Sequence, residues 1–122
     1  MAMTTDRKHP SPPPSDPALI PLPPLAGAAE CLRVMAHPVR LRIVDILMQG
    51  DFPVHEIARL CGLPAPQTSE HLRLMKTHGF LDAVRQSRIV YYRIANPRLP
   101  RLLECLRDTC SAGEMQPKKA KR

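Results

Sequence analysis

Apolar residues recur at helical spacing through most of the chain and change to strand-like alternation in one place only. Leu25, Leu32 and Met35, with the small Ala28 and Ala29 between them, form a stripe that predicts a first helix over residues 25–35. His37-Pro38 ends it, because the residue before a proline avoids the helical region, and Pro38 suits the first turn of a second helix. Val39, Ile43, Ile46 and Leu47 fall at i, i+4, i+7 and i+8 on that helix, and Gly50 stops it. A third helix is expected over 54–61, with Ile57, Leu60 and Cys61 inward and Gly62 supplying a left-handed end. A fourth is expected over 65–78, with Thr68, Leu72 and Met75 on its buried face. Residues 81–94 then read as two strands around a polar turn at Gln86-Ser87, pinned by Val84, Ile89 and Tyr91. From Pro97 the spacing is helical again, with Leu99, Leu102, Leu103 and Leu106 in one stripe.

This order predicts a mostly α fold with a small β wing: a winged helix-turn-helix, α-α-α-α-β-β-α. Two helices joined by a tight turn place the second in the DNA major groove. At 100° per residue, Glu70 points away from the core, with Gln67, Ser69, His71 and Arg73 around the same outward arc. Those side chains include the donors and acceptors that read base edges and hold phosphates. Arg85 and Arg88 flank the wing tip, where they would reach a phosphate or the minor groove. The last helix carries more leucine than one small domain needs, so the first and last helices are the expected homodimer surface.

Composition sharpens this picture. The chain of 122 residues has a net charge of +7, of which +5 falls in residues 31–110, so the folded part itself favours a polyanion. Residues 1–24 hold eight of the fifteen prolines and are expected to form a disordered arm. Residues 25–110 are the expected DNA-binding domain, and 111–122 a disordered basic tail ending Lys118-Lys119-Ala120-Lys121-Arg122. No apolar run is long enough to span a bilayer and no signal-peptide pattern is present, so the expected location is the cytoplasm, away from membranes. In that compartment the four cysteines are expected as thiols. With no tryptophan, two phenylalanines and two tyrosines, single-strand recognition by aromatic stacking is disfavoured. An enzyme is not expected: Cys-x-x-Cys, a glycine-rich phosphate loop and a nucleophile–base–acid spacing are all missing.

The segments LRVMAHPVRLRIVDIL (32–47), HEIARLCGL (55–63), PQTSEHLRLMKTHGFL (66–81) and RIVYYRIANP (88–97) resemble, in order and spacing, the ArsR/SmtB family of bacterial winged-helix transcriptional repressors. The resemblance implies a homodimer that binds double-stranded operator DNA and leaves it when an effector binds. It implies DNA contact at Ser69 and Glu70 and near Gln67. The acidic Glu70 departs from the usual choice there; it could accept from a cytosine amino group or repel a phosphate.

Two metal sites known in the family do not transfer. Where one places a Cys-x-Cys pair, this chain has Pro53-Val54-His55-Glu56; where another needs histidine on the last helix, it has only Glu104 and Asp108, expected as a solvated face or as partners for Arg101 and Arg107. Cysteine thiolates remain, and they suit arsenite, zinc or cadmium, or oxidation and persulfide chemistry. The candidate sensing set is Cys31, Cys105 and Cys110, with Cys61 structural. Cys105 and Cys110 lie five apart, about 140° and 7.5 Å on a regular helix, so they share an ion only if the helix frays or a second subunit joins in. The alternatives are a winged-helix interaction module without specific DNA binding, motivated by Glu70 and the proline arm, and a regulator of this family without a metal effector.

Overall fold

A computed structural model describes residues 9–111, apart from the side chain of the last. The first eight residues of the proline arm and the basic tail beyond 111 lie outside that range. The element order is α1 (Leu22–Met35), α2 (Pro38–Leu47), β1 (Phe52–Pro53), α3 (Val54–Cys61), α4 (Ala65–Thr77), β2 (Leu81–Gln86), β3 (Ile89–Ile94) and α5 (Leu99–Ser111). It matches the expected winged helix-turn-helix, with one strand more.

Helix α1 starts three residues before its expected beginning, and it takes in Pro23 and Pro24. The first bond of the helix runs from the Leu25 amide to the Pro21 carbonyl at 3.4 Å, so the prolines occupy positions that donate nothing. Helix α2 begins on a side-chain cap: the Val39 amide donates to His37 Nδ1 at 3.1 Å, with Pro38 in the first turn. Gly62 closes α3 at a φ of 70°, and the Leu63 amide reaches back to the Ala58 carbonyl at 3.1 Å. Three residues later α4 is under way, which makes the turn of the helix-turn-helix. Gly79, at a φ of 80°, turns the chain out of α4 into β2.

The strands form one antiparallel sheet in the order β1-β3-β2, with Phe52 opposite Tyr92 and Val84 opposite Tyr91. The wing turn is Ser87-Arg88, one residue later than expected, and Ser87 takes a φ of 60°. Val84 and Ile89 do not pin the sheet. They lie toward its exposed end, and the buried base is Leu81 with half-buried Tyr92 and Ile94.

The core lies where α2, α3 and α4 meet the base of the sheet. Ile43, Val44, Ile57, Leu72, Met75 and Leu81 are all but inaccessible. On α3 the inward pair is Ile57 and Ala58, while Leu60 is exposed on the opposite flank, so the expectation for Leu60 is corrected. Helix α5 packs along α2, burying Leu99 and Leu103. Arg107 pairs with Asp45 of α2 rather than with an acid of its own helix. Helix α1 buries only Val34 and Met35; its Leu22, Leu25 and Leu32 stand exposed at 79%, 41% and 55%. Among the described residues no helix is long and apolar enough to cross a membrane.

Candidate nucleic-acid interface

Helix α4 is held by its buried face. Leu72 and Met75 are fully buried, and Thr68 joins them because its hydroxyl donates to the Pro64 carbonyl at 3.1 Å, which satisfies a polar group in an apolar site. With that face fixed, Gln67, Glu70 and Arg73 are exposed and Ser69 is half-buried. The structure thus gathers four of the five recognition-helix candidates on one accessible arc. Arg85 and Arg88 are both exposed at the wing tip. A groove of about 370 Å³ runs between wing and helices, lined by Pro53, Val54, His55, Ala65, Arg88, Ile89 and Val90. It carries Arg88 and the exposed His55 beside the first residues of α3 and α4, whose amide-rich ends favour anions.

His71 does not belong on the free arc. It is half-buried, its ring lies 4.7 Å from that of His37, and its Nδ1 accepts from Arg40 Nε at 3.3 Å. Burial pushes the imidazole below its ordinary value, the neighbouring His37 and Arg40 push the same way, and Glu70 opposes them. A helical projection cannot see this, because the ring turns toward another helix. The signal available was the spacing His37-x-x-Arg40 at the start of α2, where one residue caps and the other reaches out.

The order of the helices and the small sheet beside them is that of known regulators. A helix-turn-helix family model matches residues 35–84. The transcriptional repressor SmtB of Mycobacterium tuberculosis is 37% identical over 101 residues, which cover 83% of this chain and 73% of that protein. The chain belongs to the ArsR/SmtB family. A homodimeric winged helix-turn-helix DNA-binding domain from Mycobacterium bovis, a candidate ArsR-family regulator, superposes with a TM-score of 0.67 at 27% identity, covering 82% of this chain and 93% of that one. The antimony-specific repressor AntR superposes with a TM-score of 0.73 at 26% identity, covering 84% and 93%. This ArsR/SmtB chain is therefore a DNA-binding transcriptional repressor, and proteins of this family and fold are not enzymes.

The cysteines are dispersed in the ArsR/SmtB protomer. Cys31 lines a groove with Leu32, Met35 and Phe80 whose other wall is the first turn of α5. Cys110, at the far end of α5, lines a different groove with Leu41, Arg42 and Asp45 of α2. The helix does not fray before Cys110 but continues to Ser111, so Cys105 and Cys110 stay on different sides of it. Among the described residues no three of His, Cys, Asp and Glu come together as metal ligands. Cys31 and Cys110 are exposed. Cys61 is half-buried, and burial pushes its thiol up, with Arg42 opposing. A raised thiol leaves less thiolate at neutral pH. Alkylation by iodoacetamide at pH 7.5, followed by mass spectrometry, is expected to label Cys61 last and Cys31, Cys105 and Cys110 before it; early labelling of Cys61 would contradict this ordering.

Proposed function

We propose that this repressor acts as a homodimer, reads its operator with Gln67, Ser69, Glu70 and Arg73, grips flanking phosphates with Arg85 and Arg88, and is released by a thiol-directed effector. The observation that carries the DNA reading is the exposed polar arc of α4 beside two exposed wing arginines. The dimer reading is supported by α1, whose Leu22, Leu25 and Leu32 are left in water by a single chain. A stripe of this kind is covered most simply by the same stripe of a second copy.

The effector reading is supported by three exposed cysteines along α1 and α5. Because one protomer keeps them apart, a shared site requires two protomers. Soft ions such as arsenite, zinc or cadmium bind thiolates, and a persulfide donor would modify them; AntR, similar in fold, is antimony-specific by name. An effector that changed how α1 and α5 of two protomers pack would change the distance between the two recognition helices. Operator half-sites about 34 Å apart tolerate little change, and a coupling of about 1–3 kcal/mol would shift affinity roughly 5–150-fold.

Gel shifts across a salt series, on the upstream region of its own gene and on random duplex, test the operator reading. Binding no tighter to the former would end it. Adding arsenite, zinc, cadmium and a persulfide donor to the complexes of wild type, Cys31→Ser, Cys105→Ser and Cys110→Ser tests the switch. Release by one effector, lost in at least one variant, is expected. No release, or release indifferent to all three substitutions, removes the thiol effector.

A further inference from the structure

One guanidinium joins three helices. Arg40, in the first turn of α2, donates through Nη1 to the Val34 carbonyl at 2.8 Å and through Nε to His71 Nδ1 at 3.3 Å. Val34 lies in the last turn of α1. The residue four positions on, which would ordinarily donate to its carbonyl, is Pro38, and proline has no amide hydrogen. Arg40 supplies the missing donor. At its other side it meets α4 between exposed Glu70 and fully buried Leu72. His37 completes the group: it caps α2 through Nδ1 and holds its ring against that of His71, tilted by 56°.

The chemistry of the contact is selective. Arg40 can only donate, so His71 must present a bare Nδ1 and carry its proton on Nε2. A second proton would turn the acceptor into a donor facing a cation, and the contact would break. The titratable or charged groups facing His71 are His37 and Arg40 from α2 and Glu70 from α4; α1 contributes the neutral Val34 carbonyl through Arg40.

We propose that Arg40 and neutral His71 are positioning residues for DNA recognition, a strut that fixes the recognition helix α4 against the end of α1. The proposal rests on α4 being the helix that reads DNA. In the proposed dimer, α1 also carries the partner contact, so the strut connects the dimer surface with the reading surface. It gives Arg40 a role distinct from that of the phosphate-gripping wing arginines: losing the strut should harm base reading more than general attraction to DNA.

The sign follows from the neutral form being the one the fold favours. His71 sits below the ordinary imidazole value of about 6.5, so the strut is intact above that pH and is lost as pH falls through the lower value in the folded protein. Protonation elsewhere on the protein strengthens attraction to any duplex, so the informative quantity is the ratio of operator to random-duplex affinity.

The test measures that ratio by fluorescence anisotropy for the full chain from pH 8 to pH 5 at fixed salt. For wild type the ratio is expected to fall as His71 takes up a proton, by up to about tenfold once the contact is lost, as suits one hydrogen bond to a charged group. His71→Asn keeps an acceptor oxygen where Nδ1 stands and cannot be protonated, so its ratio should match wild type at pH 8 and stay flat. Arg40→Lys keeps the charge but cannot span both acceptors, and should lower the ratio at pH 8. His37→Asn keeps the cap and should retain the wild-type fall. A wild-type ratio that is flat or rises toward pH 5 overturns the proposal, whatever the variants do. So does a fall that persists in His71→Asn, or one that vanishes only in His37→Asn. Loss of operator binding by His71→Asn at every pH, with the fold intact by circular dichroism, would make the ring a direct DNA contact and also overturn it. A wild type that never prefers the operator at pH 8 would instead sink the DNA-reading assignment itself.

Discussion

Leu72→Ala is expected to destabilise the protein by about 2–5 kcal/mol, the range for deleting a buried leucine side chain and leaving a cavity. Leu72 is fully buried on the inner face of α4, among Ile43, Ile57 and Met75, so there is no nearby solvent to fill the gap. Small domains have total stabilities toward the low end of about 5–15 kcal/mol, so this one side chain decides whether the recognition helix stays docked. Urea unfolding followed by circular dichroism measures the loss. It must be run at matched chain concentration, because stability of a dimer depends on concentration. Leu102→Ala, at a half-buried position on α5, is the control and should cost less. A Leu72→Ala unfolding free energy within about 1 kcal/mol of wild type, judged against the range for cavity-forming changes, would mean the core is not built around α4.

The second large effect is expected at the DNA surface, and it divides by mechanism. Arg85→Ala/Arg88→Ala removes two exposed cations from the wing. Each phosphate contact contributes about 0.9 to the slope of log affinity against log salt, so the double variant should flatten that slope by nearly 2 and weaken operator and random duplex alike. Gln67→Ala, on the exposed arc of α4, should leave the slope nearly unchanged and cost about 1–3 kcal/mol on the operator alone. Isothermal or anisotropy titrations at several salt concentrations separate the two. The assignment of roles fails if the wing variant keeps the wild-type slope, or if Gln67→Ala weakens both duplexes equally.

Much of the fold was legible because its punctuation is local. Pro38 and Gly62 set the start of α2 and the end of α3 by backbone restrictions that operate within a few residues. The buried face of α4 followed from periodicity, since Thr68, Leu72 and Met75 fall at i, i+4 and i+7 on one side. Strand β1 was not legible, because two residues have no period. The start of α1 was not legible for a different reason: proline breaks a helix interior, whereas in the first turn it removes only donors that have no acceptor.

The site was less legible than the fold. The wheel projection placed Gln67, Glu70 and Arg73 on the accessible arc, but it assigned His71 to the same arc because it contains no neighbouring helix. The Arg40 contact spans 31 positions in sequence, beyond any local pattern. The cysteines make the same point. Their spacing on α5 was computable, but the separation of Cys31 from Cys110 into two grooves depends on how α1, α2 and α5 pack.

Pro53 has a consequence for how the wing behaves in company. It lies in β1, one of the two edge strands of the sheet, and can offer no amide hydrogen to a further neighbour, and the strand is only two residues long. An unfolded or foreign segment that approached from that side would find no ladder to extend. The wing can project its arginines outward while that margin resists the strand-by-strand growth through which exposed sheets aggregate.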